Sequence, residues 1–535
     1  FASVAQAQSI DISKFYYRDY LDFGQGYGAF NGENSGKANT SNGTTLTGKD
    51  GTQVSVPNVP NFSASSNYGS LTSVGRGFAV TANHVTSPLD NSQGDLRKWG
   101  LSTYQIANQP VKDKDGNDIY GVSKPYGRDE KFTRFDKYVV EGQVDMLDFE
   151  NSIDKKDAAK EQANLDTFKK ELENFKDSKG DIYIYQTGSG VITLRNSYEK
   201  LTDIDRGKDG ETRGGGFGTL GENSIQYECL VQSQSCDSRG MWFYYYPNTD
   251  FNNRITSGDS GSGIYAYDNT NKKWVLLGVT SQSLDGQNKA YISAVSNKDL
   301  QDYQKNFEQN INLKMTEPNL IEWTLKNNTL EYGARGDTPQ QTYNLQPNKD
   351  IIFRGGGTIK VQGNIYRNIS GQAGGFVFEK ADTETTYKFT NEQGKNYFFI
   401  GSGLDIGKNV KVEWELHNQS NDSLHKIGKG ELIVKTDYTP TSTSENLGTL
   451  KIGEGKVTLD TNKKAFENIY ITSGRGELAL KKDKAEALGA TKNGTTSANS
   501  YTLAQENTDK MGFYFGKGGG KFDLAGNSLV LNTIA

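Results

Sequence analysis

Histidine and cysteine are scarce in this chain, and each scarcity narrows its chemistry. Among 535 residues there are three histidines and two cysteines. Cys229 and Cys236 have no second pair with which to complete a metal site, and no metal or organic cofactor is implied. Their spacing suits a disulfide across a hairpin in an oxidising compartment, with two reduced buried thiols as the alternative. No run approaches the ~20 apolar residues of a membrane-spanning helix. The net charge of −5 comes without a dense lysine and arginine tract, which argues against nucleic acid or an anionic membrane as partner.

What is present points to β structure. Sixty-one glycines against ten prolines, with abundant Ser, Thr and Asn, favour short strands and frequent turns. Segments such as Phe78-Ala79-Val80-Thr81, Ile182-Tyr183-Ile184-Tyr185 and Trp274-Val275-Leu276-Leu277 predict a β-barrel domain over residues 1–310. Near the start, Ala5-Gln6-Ala7 has the form of a signal-peptidase site, or is an ordinary frayed terminus. One stretch, about 152–176, lacks Gly and Pro and places Leu165, Phe168, Leu172 and Phe175 on one helical face. It predicts a helical excursion whose apolar stripe packs on the protein.

Residues 311–535 change texture. Glycine followed by an alternating tetrad recurs at Gly430–Val434, Gly448–Ile452, Gly455–Leu459 and Gly476–Leu480, with related tetrads near Ile351, Phe376, Phe522 and Leu529. Short strands that bury one face against their neighbours suit a parallel β-helix. An antiparallel sandwich shows the same alternation, but tight Asn-Gly hairpins between tetrads are rare.

Chemistry concentrates at Gly258-Asp259-Ser260-Gly261-Ser262. A serine hydroxyl needs a base to take its proton, and imidazole is the usual one. His84, at the end of an apolar strand, is the only histidine before His417 and His425, which lie in the downstream region. Glycine lets the chain turn so that the N–H groups of Gly258 and Ser260 share one focus, an oxyanion hole worth ~3 kcal/mol per donor. These features predict a serine endopeptidase. A lipase elbow would need Gly at 262 and its acid and histidine after the serine, whereas Ser262 stands there and His84 comes first.

The order His84, acid, Gly-Asp-Ser-Gly-Ser resembles the chymotrypsin-like serine proteases. The chain is more closely similar to the autotransporter serine proteases of the immunoglobulin A protease type from Gram-negative bacteria. Phe15-Tyr16-Tyr17-Arg18-Asp19-Tyr20 looks like that family's mature N-terminus, and Arg134-Phe135-Asp136-Lys137-Tyr138-Val139-Val140-Glu141 like its Arg-Leu-x-Lys-Phe-Val-Thr-Glu block. Leu424–Gly430 and Gly519–Asn527 resemble its β-helix rungs. The resemblance implies an all-β chain, a chymotrypsin-like double β-barrel followed by a right-handed parallel β-helix stalk.

It also places the triad acid five residues before the block arginine, at Asp129, with Asp136, Glu130, Asp145 and Asp148 as rivals. Arg254, six before the nucleophile, would sit at the base of the primary pocket and favour an acidic P1 residue, unless it points to solvent. Ser281, Gln282 and Ser283 would form the edge that pairs with substrate backbone. The implied setting is secreted or at the bacterial surface after export through the periplasm. The implied substrates are host extracellular proteins, with membrane attachment only through a translocator domain not in this chain. A passenger that adheres or self-associates, with a protease acting mainly on itself, is the competing reading. Where the family has proline after the second serine of the motif, this chain has Gly263.

Overall fold

The computed structural model describes residues 8–11, 13–16, 18–19, 22, 44–56, 62–85, 97–123, 128–154, 156–188, 192–196, 199–204, 214–220, 225–228, 238–246, 258–284, 289–313, 322–333, 338–442, 444–492, 500–503, 512–516 and 519–531. Two compact units emerge. The first comprises residues 1–104, 121–134 and 142–305, and the second 105–120, 135–141 and 306–535.

In the first unit, β1 (Thr72–Gly75), β2 (Phe78–Ala82) and β3 (Glu130–Arg134) form an antiparallel sheet with β2 central. Every residue of β2 is buried, as a central strand of Phe, Ala, Val and Thr requires. Six further strands close on themselves. These are β4 (Tyr183–Gly188), β5 (Gly214–Leu220), β6 (Ser238–Tyr246), β7 (Gly263–Asp268), β8 (Lys273–Leu284) and β9 (Lys289–Ala294). β4 pairs with β5, β5 with β6, β6 with β9, β9 with β8, β8 with β7, and β7 with β4, all antiparallel. Closure leaves this ring no free edge around its girth. Of the expected double barrel, this is the complete one; among the described residues the other half is the three-stranded sheet.

The helical excursion is α1 (Ala158–Leu172), shorter than the expected 152–176. Asp157 caps it, its carboxylate accepting from the Lys160 N–H at 3.0 Å, and Ser152–Asp154 instead pairs as a strand with Gly240–Ser238. Ile153 is buried there, and strand pairing buries it without extending the helix past its cap. Leu165, Phe168, Leu172 and the following Phe175 join a cluster with Ile184, Phe243, Ile264, Leu277 and Ile292. Burying each such side chain is worth ~1.5–3 kcal/mol. A second helix, α2 (Asn297–Gln304), follows β9 and is capped by Ser296.

The second unit is built on two long, mainly parallel sheets. The tetrads stack in register: Leu432 faces Val457, Val457 faces Leu478, and Leu478 faces Phe522. On the other sheet Leu450 faces Ile469, which faces Phe513. Ile351, Phe376 and Leu404 form a third column. Their interior side chains merge into one apolar core with Trp323 and Trp414 fully buried. The antiparallel alternative is realised in short stretches, among them Glu322–Lys326, Thr329–Gly333 and Gln341–Asn344, which pair antiparallel, and Thr491–Lys492, which pairs so with Tyr501 and Thr502. Leu529 lies in a small separate sheet, on a strand parallel to Ser500–Leu503.

The division of the chain is not a single cut near 310. Residues 135–141 belong to the second unit, where Tyr138 and Val140 pack with Ile352, Val377 and Ile427. The Tyr138 N–H donates to the Ser402 carbonyl at 2.7 Å, and the Thr472 hydroxyl donates to the Val140 carbonyl at 2.7 Å. The Lys137 ammonium reaches the Gly401 and Ser423 carbonyls and the Asp422 carboxylate. The block that resembles a family motif is therefore, after Arg134, a strap laid across successive rungs.

Candidate active site

The site stands on the end of β2, the start of β3 and the turn before β7. β2 and β3 pair with Ala82 opposite Glu130 and Thr81 opposite Lys131. One step further the Asn83 N–H donates to the Asp129 carbonyl at 2.6 Å, so Asp129 arrives beside His84 by register alone. The Lys131 ammonium then donates to the Asn83 and Val85 carbonyls, pinning the backbone on both sides of the histidine.

His84 Nδ1 lies 2.7 Å from Asp129 Oδ2 and 3.0 Å from Oδ1, and the His84 backbone N–H also donates to Oδ1 at 3.0 Å. Facing a carboxylate, Nδ1 must carry the proton, which leaves the lone pair on Nε2. Nε2 lies 2.7 Å from Ser260 Oγ, oriented to receive the hydroxyl proton. The imidazole side chain is 48% exposed and the Asp129 side chain 12%, so the acid is sheltered while the base opens to solvent.

The turn carrying Ser260 is shaped by glycine. Gly258 and Gly261 have φ of 96° and 81°, in the left-handed region that a side chain strains. A Cβ on Gly261 would lie 2.2 Å from Thr81 Oγ1, so only glycine lets this turn press against β2. The Gly261 N–H donates to the Thr280 carbonyl and the Thr280 N–H to the Ser262 carbonyl, both at 2.8 Å, tying the turn to β8. Gly263, the departure from the family's proline, also fits a crowded place. A side chain there would meet Thr72 Oγ1 at 2.7 Å and the Tyr265 hydroxyl at 2.8 Å, which itself lies 2.9 Å from Ser65 Oγ.

Of the acids considered, Asp129 is the one that faces His84. Glu130 points instead to Arg128 and Ser293, Asp145 to Lys273, and Asp148 accepts from Asn297. Asp136 lies in the second unit, accepting from the Gln105 N–H, and burial raises its pKa. His417 and His425 also lie in the second unit.

Ser281 has a role the sequence did not reveal. β8 and β9 shift register between Thr280 and Gln282, so Ser281 is a bulged residue, and its hydroxyl donates to Asp129 Oδ2 in a short hydrogen bond. The Ser281 hydroxyl thus serves the acid, a contact apart from the backbone pairing with substrate expected of this edge. Gln282 is exposed and pairs opposite Tyr291, while Ser283 is described only through its backbone pairing with Ala290. Arg254, Cys229 and Cys236 lie outside the described residues. No signal in the sequence marks the Ser281 contact, because it depends on a bulge and on a partner 152 residues away.

Comparison with known proteins shows what the chain is similar to. The family model described as immunoglobulin A1 protease matches residues 8–299. The serine protease Pet autotransporter of Escherichia coli O44:H18 is 29% identical over 547 residues, covering all of this chain and 35% of its own length. The serine protease EspP of Escherichia coli O157:H7 is 30% identical over 545 residues, again all of this chain and 34% of its own. The crystal structure of the passenger domain of plasmid encoded toxin, an autotransporter enterotoxin from enteroaggregative Escherichia coli, superposes with a TM-score of 0.65 at 26% identity. That likeness covers 96% of this chain and 44% of that one. The chain thus spans about a third of the length of these curated relatives. With more than half its residues matched by the family model, it belongs to the immunoglobulin A1 protease family.

Proposed function

We propose that this chain carries a serine endopeptidase that cleaves extracellular proteins after secretion or display at the bacterial surface. One observation carries the reading: Asp129, His84 and Ser260 form an unbroken hydrogen-bonded path with 2.7 Å at both His84 nitrogens. In this reading Ser260 attacks the scissile carbonyl as His84 Nε2 takes its proton. Asp129 stabilises the imidazolium that forms, and His84 returns the proton to the leaving amine. The N–H groups of Gly258 and Ser260 receive the developing oxyanion. Residues 1–310 carry this chemistry, with the β-helix of 311–535 presenting it.

The edge of β8 at Ser281, Gln282 and Ser283 is assigned to substrate backbone, because beyond Thr280 the described residues pair its backbone only with β9. Arg254 is assigned to the base of the P1 pocket and Cys229–Cys236 to a disulfide. An unchanged P1 preference in Arg254→Glu would remove the first assignment, and two free thiols titrated in the denatured protein the second.

The test of the function itself is cleavage of a foreign unfolded protein in trans by purified chain, with covalent labelling of Ser260 by an organophosphorus fluoride. Loss of both in Ser260→Ala is expected. Labelling without trans cleavage would favour a protein whose protease acts only on itself.

A further inference from the structure

Asp129 is flanked in sequence by two charged side chains, and both are buried in one ionic cluster inside the first unit. Arg128 Nε lies 2.9 Å from Glu130 Oε1, and Arg128 Nη1 makes a short bond to Asp299 in the first turn of α2. Their side chains are 14%, 1% and 15% exposed. Glu130 Oε2 accepts from the Ser293 hydroxyl on β9 at 2.9 Å, and Oε1 accepts from Asn151 Nδ2 at 3.3 Å. Asn151 in turn donates to the Ala294 carbonyl and accepts from the Met241 N–H on β6. The stem of Arg128 lies over Gly240, where a Cβ would come within 2.6 Å of Arg128 Cγ.

Burying three charges is costly, and apolar packing of equal volume is commonly as stable or more so. What the cluster supplies is geometry. It ties the residues on both sides of Asp129 to β6, β9 and α2, elements the hydrogen bonds between His84, Asp129 and Ser260 do not touch. An acid that must hold an imidazole in one orientation needs placement to within ~0.5 Å. We propose that Arg128, with Glu130 and Asp299, is a positioning clamp that sets Asp129 against His84; this rests on the triad reading above. Burial pushes the Glu130 carboxyl up to about 7, with Arg128 pulling it down and Asp299 pushing it further up. The two carboxylates outweigh burial at Arg128 and hold its guanidinium charged.

The experiment uses the full chain with Arg128→Met, which removes the guanidinium but keeps an unbranched stem over Gly240, and Arg128→Lys, which restores a charge. A clamp predicts that kcat on a peptide substrate falls on the order of ten- to a hundredfold in Arg128→Met with KM unchanged. The low-field proton NMR signal of His84 Nδ1–H should shift or broaden, and Arg128→Lys should recover part of both. Should Arg128→Met fail to fold, Asp299→Asn carries the same readouts. Unchanged kcat and an unchanged His84 signal in a folded variant overturn the clamp. If the parent protein shows no Ser260-dependent hydrolysis, the proposed function fails instead, and the His84 signal alone still decides the clamp.

Discussion

His84 and His425 are the same side chain used in opposite ways by the two units. His84 stands half in solvent at a strand end, with a carboxylate on one nitrogen and a hydroxyl on the other. His425 is 2% exposed inside the rung Ser423–Ile427, its Nδ1 2.7 Å from the Tyr138 carbonyl and its Nε2 2.9 Å from Ser423 Oγ. A carbonyl can only accept, so His425 carries its proton on Nδ1 and stays neutral. Burial first, then the charges of Lys451 and Lys137, push its pKa well below the usual value. The first unit opens this imidazole to solvent at a non-repeating site. The second seals polar groups into a repeating ladder, as with the Lys426 ammonium, which donates to the Gly428, Gly430 and Glu454 carbonyls.

That contrast can be broken by direct exchange. His84→Ala should lower kcat by ~10⁴ or more while leaving the thermal midpoint in place, because it removes a base and no packing. His425→Ala should do the reverse. It removes the buried hydrogen bond to the Tyr138 carbonyl at a cost of about 1–3 kcal/mol in denaturant titration, with kcat of the folded fraction unchanged. A fall in kcat for His425→Ala comparable to that for His84→Ala would erase the distinction.

Gly261→Ala should come next. With Thr81 Oγ1 2.2 Å from the added carbon, the turn must withdraw from β2. Loss of kcat on the order of a hundredfold is expected, measured beside labelling of Ser260. Retained labelling at the parent rate would show that the turn adapts.

Glu130 gives the pH arm of the comparison. Its carboxyl is raised from 4.5 to about 7 in the fold. The folded state therefore holds the proton more tightly than the unfolded chain. Its contribution is fully present below about pH 4.5 and is lost as pH rises through about 7, on the order of 3 kcal/mol. Glu130→Gln should flatten that part of the stability profile, read as denaturation midpoints across this window. An equally steep loss in the variant would place the effect elsewhere. The smallest effect is expected at α1, where Asp157→Ala removes one cap and costs ~1 kcal/mol without touching hydrolysis.

Much of this architecture could be read from residue order. The scarcity of histidine singled out His84, glycine around Ser260 marked a turn, and the tetrads of the second region revealed strands that stack. The face Leu165–Phe168–Leu172 marked α1 because three- and four-residue spacing is local information. What resisted reading depends on register between distant strands. The tie from Ser281 to Asp129 needs a bulge between Thr280 and Gln282, and the cluster around Arg128 needs β3, β6, β9 and α2 assembled. Ser152–Asp154 looked helical by composition but found a strand partner in Ser238–Gly240, a tertiary choice that local propensity does not encode.

The strap at residues 135–141 bears on how the chain can fold. Thr472 and Val140, joined by one hydrogen bond, are 332 positions apart, and Lys137 reaches Asp422 across 285. Loops of that size close slowly. Rungs assembled from the downstream sequence alone would leave Ile352, Val377 and Ile427 uncovered until the upstream segment arrives. A protein severed near residue 310 would have lost the covalent tie to that piece, and its rungs would have to recover it from solution.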